Sequence, residues 1–262
     1  MLYTCTACAA TKSVPIASKA QHALTSAYDE TAQTLVYSCT VCDVSFRTDT
    51  TYFLDGSSYT GMTGVDNSGY ANCSGGRPPI NEDGKYELLS TSDASAQAQL
   101  WFPQNNASMT GFSAENNAVG FFSFKFTSTF TEGFSLMFTD ESANTGSNRW
   151  TDAGRIANVL KCSAPSGGNV MLTGLGVSLG SYSVTEETDV KIGIQLDEAS
   201  DTVTFYYFVN GTYKGKATTK MTISTNAFTS VYLSGTTKTA GTGIILDDIG
   251  FGFTKHGTLP IN

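Results

Sequence analysis

Four of the six cysteines fall in two Cys-x-x-Cys pairs, Cys5 with Cys8 and Cys39 with Cys42. Thiolates at this spacing can converge on one tetrahedral ion, and two such knuckles a few tens of residues apart match a structural zinc site of the ribbon type. An aromatic residue repeats with the thiols: Tyr3-Thr-Cys5-Thr-Ala-Cys8 returns as Tyr37-Ser-Cys39-Thr-Val-Cys42, thirty-four positions later. Zinc would stabilise a segment with few apolar residues of its own. The competing uses are two strained disulfides within the knuckles, or a thioredoxin-type redox pair. A redox pair normally opens a helix after a strand, which neither knuckle resembles. His22 lies between the knuckles and, with four thiols at hand, reads as a surface or packing histidine. Cys73 and Cys162 remain, either as a disulfide closing a long loop or as two buried thiols.

Other reactive constellations are sparse. The acidic clusters Glu186-Glu187-Asp189, Asp197-Glu198 and Asp247-Asp248 do not place acids at the spacing of a catalytic pair. With His22 and His256 as the only histidines, neither a Ser-His-Asp triad nor a His-rich metal site is expected. Binding a sugar without breaking it asks for less. Pyranose rings present flat C–H faces that stack on aromatic side chains, while amides, carboxylates and guanidinium groups satisfy the hydroxyls. Trp101, Trp150, Tyr206, Phe208 and Tyr213 are the candidate platforms, and Asn148, Arg149 and Asp152 are the polar neighbours of Trp150. Trp101 in QLWF also reads as core, and Tyr206 could pack under a second layer. Trp150, in the polar stretch DESANTGSNRWTDAG, is the best placed for a ligand.

Composition bounds the rest. The chain has 262 residues, 15% charged, with 26 glycines and a net charge of −8. That profile suits an extracellular β-protein with many turns, and the charge argues against nucleic acid, whose phosphates need clustered Lys and Arg. No apolar run of about 18 residues is present, so no membrane-spanning helix is expected. The sequence reads as an excised piece of a longer secreted protein, with Met1 a start added to it.

The elements that must position these residues are strands. Val190, Ile192, Ile194 and Leu196 alternate with polar or small residues, and after the turn DEASD the same period carries Val203, Phe205, Tyr207 and Val209. Asn210-Gly211 then predicts a type I′ hairpin toward Tyr213 and Lys214. The opposite face, with Tyr206 and Phe208 beside Lys191 and Gln195, is either a glycan platform or a surface covered by the Tyr-rich segment before residue 95. AQAQLWF, GFFSFKFTST, GFSLMFTD, ANVLKCS, VMLTGL, KATTKMTIS, SVYLSG and IILDDIGFGF complete a succession of strands at sandwich spacing. Residues 48–95, rich in Gly, Ser, Asp and Tyr, read as short strands between turns or as a long binding loop. The domain reading is a Cys-x-x-Cys unit over 1–47 and a β-sandwich over 48–262.

Two resemblances add to this. Lys12-Ser-Val-Pro15-Ile, His22 and VYSCTVCD resemble the tandem repeats of large surface and secreted proteins of gut clostridia and ruminococci, over residues 2 to about 47. Ala9 and Asp43 stand where those repeats usually carry Gly. That likeness implies a Gram-positive anaerobic surface context. GFFSFKF with GFSLMFTD, DVKIGIQLD with TVTFYYFVNGTYKGK, and ILDDIGFGF resemble the concanavalin-like jelly roll of laminin-G-type domains, legume lectins, glucanases and carbohydrate-binding modules. The glucanases of that group carry Glu-x-Asp-x-x-Glu, with carboxylates about 5 Å apart for retention, and this signature is absent. Many carbohydrate-binding sandwiches carry an Asp-Asp near the final strand that holds a structural calcium, so the likeness implies calcium at Asp247 or Asp248, against a hydrogen-bonded strand-end aspartate. The expectation is an all-β, concanavalin-like sandwich with a zinc-ribbon-like unit. It would be a non-catalytic polysaccharide-binding module for a glucan such as starch, with a glycoside hydrolase or lyase, or a protein-binding adhesin or spacer, as the alternatives.

Overall fold

The computed structural model describes residues 2–4, 11–13, 23–29, 31–32, 34–42, 44–54, 81–90, 93, 96–102, 112–139, 155–221, 228, 230–255 and 259, with backbone alone for 2–4, 11–13, 28, 50–54, 96–102, 116, 155 and 230. The strands before the sandwich proper are β1 (Leu2–Thr4), β2 (Thr11–Ser13), β3 (Leu24–Asp29), β4 (Thr34–Cys39) and β5 (Ser45–Arg47). They are followed by β6 (Thr50–Leu54), β7 (Tyr86–Leu89), β8 (Ala96–Phe102), β9 (Val119–Ser128), β10 (Phe134–Thr139), β11 (Arg155–Cys162) and β12 (Asn169–Gly174). The last six are β13 (Val177–Ser183), β14 (Thr188–Asp197), β15 (Thr202–Val209), β16 (Thr212–Lys220), β17 (Ser230–Thr237) and β18 (Gly243–Thr254).

Two antiparallel sheets share one core. The first runs β13-β12-β11-β10-β17-β8, and the second runs β16-β15-β14-β9-β18-β6 with β7 also on β18. Alternation decides which residues face inward. Phe122, Phe124 and Phe126 of β9 and the inner row of β14 and β15 meet Phe134, Leu136 and Phe138 of β10. Rings interlock across the gap: Phe126 meets Phe134 at 5.2 Å and Phe122 meets Phe138 at 6.1 Å, both edge to face. Each such contact adds about 0.5–1.5 kcal/mol beyond the area it buries. Tyr207 also reaches between the sheets, donating its hydroxyl to the Val159 carbonyl at 2.9 Å. The hairpin between β15 and β16 turns on Asn210 (φ 49°) and Gly211 (φ 75°), the two positive values that a type I′ turn needs.

The segment 48–95 contributes to the sandwich as well as connecting to it. β6 pairs with Ile249–Phe253 and β7 with Gly243–Leu246, so they occupy the same edge of β18 on either side of Asp247-Asp248. At that point β18 bulges against β9, and Asp248 takes φ 47°.

The outer face of the second sheet is covered by a sheet from earlier in the chain, while most of the Tyr-rich segment, residues 55–80, lies outside the described residues. β3, β4 and β5 form a separate three-stranded sheet whose Leu24, Leu35, Tyr37, Cys39 and Phe46 pack with Val119, Phe121, Tyr206 and Phe208. Tyr37 stacks on Phe121 at 4.3 Å, and its hydroxyl meets Ser123 Oγ at 3.2 Å. The Leu24 N–H donates to the Gly211 carbonyl at 2.8 Å, tying β3 to the hairpin turn. Arg47 therefore ends a sheet without ending a core.

Candidate functional site

β10 and β11 stay in register to Leu136 and Leu160, then resume at Phe138 and Ile156, leaving residues 157–159 of β11 opposite Met137 alone. Asn158 sits in the middle of this bulge with φ 55°, a left-handed conformation that asparagine tolerates better than most residues. Val159 and Leu160 are both buried in the core, so the bulge turns Asn158 out to the exposed side. Beyond it, Lys161 pairs in register with Ser135 of β10 and Thr173 of β12, and Ser135 pairs with Ser234 of β17. This is a polar row on the outer face of the first sheet.

A groove of about 330 Å³ lies over that row, lined by Glu132, Ser135, Asn158, Lys161, Ser234 and Thr236. Its rim is braced: the Lys238 ammonium holds the Glu132 carboxylate at 2.8 Å, and the Lys238 N–H donates to Thr131 Oγ1 at 2.8 Å. Hydroxyls, one amide, one ammonium and one already paired carboxylate can satisfy the hydroxyl groups of a ligand. They do not make a general acid and a general base. Cys162 runs beneath the groove as a buried free thiol, its Sγ 3.7 Å from the Ser163 carbonyl, instead of the half of a disulfide considered for it. Burial pushes that thiol up to about 12, so it is not a nucleophile at neutral pH.

The residues singled out in the sequence are distributed differently. Tyr206 is 4% exposed and Phe208 fully buried beneath the β3–β5 sheet, so neither can stack on a sugar. The aromatic face they form is closed by apolar packing. Tyr213 is half-buried against Phe208 at 5.3 Å. Trp101 occupies the β8 position opposite Tyr232, while its neighbour Leu100 is opposite the core residue Leu233. Trp150, Arg149, Asn148 and Asp152 lie outside the described residues, as do Cys5, Cys8 and Cys73.

Asp247 and Asp248 are balanced by lysines where calcium was expected. Lys125 lies 2.5 Å from Asp248, Lys85 lies 3.5 Å from Asp247, and Glu187 pairs with Lys85 as well. Among the described residues no group of three or more His, Cys, Asp or Glu is placed to hold a metal. Hydrogen bonding to Glu187 holds the Lys85 ammonium above the ordinary lysine pKa, and bonding to Asp248 does the same for Lys125.

Of the two Cys-x-x-Cys pairs, the second is described. Cys39 ends β4 and Cys42 lies in the turn before β5. The Cys39 N–H donates to the Val44 carbonyl at 2.8 Å, folding the 39–44 turn so that both thiols belong to one hairpin end.

No protein-family profile matches the chain, and no curated protein matches it. Solved structures with a similar course include lectin II from Ulex europaeus, at 13% identity and TM-score 0.44, covering 79% of this chain and 98% of that one. The seed lectin of Lotus tetragonolobus aligns at 13% identity and 0.41, covering 78% and 97%. A carbohydrate esterase of the Shiga toxin-encoding bacteriophage phi24B aligns at 10% and 0.40, covering 77% and 88%. At this distance the likeness fixes neither a family nor an activity, and the two-sheet sandwich rests on the strand pairing itself. The groove was not legible as a motif: Ser135, Asn158, Lys161 and Ser234 come from three strands. The signal available was the polar alternation within GFSLMFTD, NVLKCS and VYLSG.

Proposed function

We propose that the chain is a non-catalytic polysaccharide-binding sandwich of a secreted or cell-surface bacterial protein, taking a glycan in the groove over β11, β10 and β17. The observation that supports this most is the bulge that turns Asn158 out beside Lys161, above a floor of serine hydroxyls. Polar groups converging over a groove of this volume suit a hydroxyl-rich ligand. Its single lining carboxylate, already paired with Lys238, leaves no acid pair for glycoside hydrolysis among the residues that line the groove. Among neutral polymers a starch-like glucan is the first in line, and the turn-rich, weakly charged composition suits the outside of a cell. No helix among the described residues is long and apolar enough to cross a membrane. Retention of the chain on insoluble starch, cellulose or xylan, reduced by Asn158→Ala, is the expected result. Failure to bind these three and polygalacturonate alike would sink the reading, and release of reducing sugar would replace it with an enzyme.

We also propose a structural zinc held by Cys5, Cys8, Cys39 and Cys42, which rests on the repeated Cys-x-x-Cys spacing and on the single hairpin end that carries Cys39 and Cys42. Close to one equivalent of zinc per chain is expected from a metal assay on protein purified without chelator. A metal-free folded chain would exclude it.

A further inference from the structure

Lysines on the sheets of this chain are mostly spoken for. Lys85, Lys125, Lys191 and Lys238 each meet a carboxylate, Lys216 lies 5.6 Å over the Tyr206 ring, and Lys220 donates to the Ser200 carbonyl. Lys161 is different, being the one ammonium that lines the groove and having no acidic partner among the described residues. The lining carboxylate nearest in kind, Glu132, has its charge balanced by Lys238. The groove therefore carries a local charge of about +1 inside a chain whose net charge is −8. Its position is fixed by register: the Lys161 backbone stands between Thr173 and Ser135, so the ammonium rises from a row of hydroxyls.

We infer that the glycan preferred at this groove bears a carboxylate, a uronate unit whose carboxylate is taken by Lys161 while its ring hydroxyls are taken by Asn158, Ser135 and Thr236. This rests on the glycan-binding reading and refines it. A neutral glucan uses the hydroxyl and amide contacts alone, and a uronate adds a charge-assisted hydrogen bond, roughly twice as strong as a neutral one. The overall negative charge repels polyanions in general. Preference for an acidic glycan must then be local.

The test is calorimetric titration of the full chain with oligogalacturonate and with malto-oligosaccharide of equal length, at about 20 mM and about 500 mM salt. The uronate oligomer is expected to bind about tenfold tighter at low salt, a difference that shrinks several-fold at high salt as charges are screened. Lys161→Gln is expected to bring the ratio of the two affinities close to one, with an unchanged thermal melt showing that this exposed position has not unfolded the chain. Lys238→Gln, which leaves Glu132 unbalanced beside the groove, is expected to lower the ratio to a smaller extent. Equal binding of both oligomers by the unaltered chain overturns the inference alone. So does a uronate preference that survives Lys161→Gln, because the charge is then read elsewhere. Binding of neither oligomer overturns the glycan reading along with it.

Discussion

Phe121→Ala is expected to destabilise the chain by about 3–5 kcal/mol, as large-to-small changes at buried aromatic positions do. The ring is fully buried on the outer face of the second sheet, where Tyr37 stacks on it and Phe46 meets it edge-on at 5.5 Å. Gly193 on the neighbouring strand makes room: a Cβ there would approach the Phe121 ring to 3.0 Å, so the glycine lets the ring lie against the sheet. Removing the ring deletes the surface on which β4 rests and leaves a cavity that the twisted sheet cannot readily close. Urea denaturation measures the loss, and limited proteolysis should show faster cutting before residue 48. A change below about 1 kcal/mol would mean that the docked sheet contributes little to stability.

Deletion of residues 1–47 is expected to have the largest effect. Val119, Phe121, Tyr206 and Phe208 would lose their cover together, producing an apolar patch of the kind that drives association in a monomer. Lys191, whose side chain is 3% exposed and paired with Asp189, would be opened to water along with them. The truncated chain should sediment as oligomers or precipitate, and should bind a hydrophobic dye that the full chain ignores. A monomeric, dye-silent fragment of residues 48–262 would show that the sandwich is self-sufficient and that the boundary after Arg47 separates two independent units.

Those two expectations depend on contacts that the sequence only half discloses. The inward rows of β14 and β15 are legible because hydrophobic period and burial coincide from Val190 to Val209, and the Asn210-Gly211 turn is legible because few residue pairs accept two positive φ values. β13 is much less so. Its VSLGSYS carries a single fully buried residue, Leu179, and a glycine at φ 116°, leaving no apolar alternation to detect. Tyr206 and Phe208 look like an aromatic platform in sequence because alternation says which residues share a face and nothing about what lies over it. What lies over it is a sheet from residues more than 150 positions earlier. The groove is harder still: Asn158 reaches it only through a bulge, and a bulge is decided by the neighbouring strand rather than by the residues that form it. The lysines opposite Asp247 and Asp248 come from β9 and the approach to β7, and for the same reason no local pattern announces them.

The division of one edge of β18 between β6 and β7 bears on how this chain can vary. Leu54 is anchored opposite Ile249 and Tyr86 opposite Leu246, so the sequence joining them spans a fixed and short gap whatever its length. Doubling the length of such a connection adds only about 0.6 kcal/mol of closure entropy. Insertions there leave the ladder on either side intact, which makes this connection the place where a new recognition segment, natural or grafted, can be carried without redesigning the sandwich.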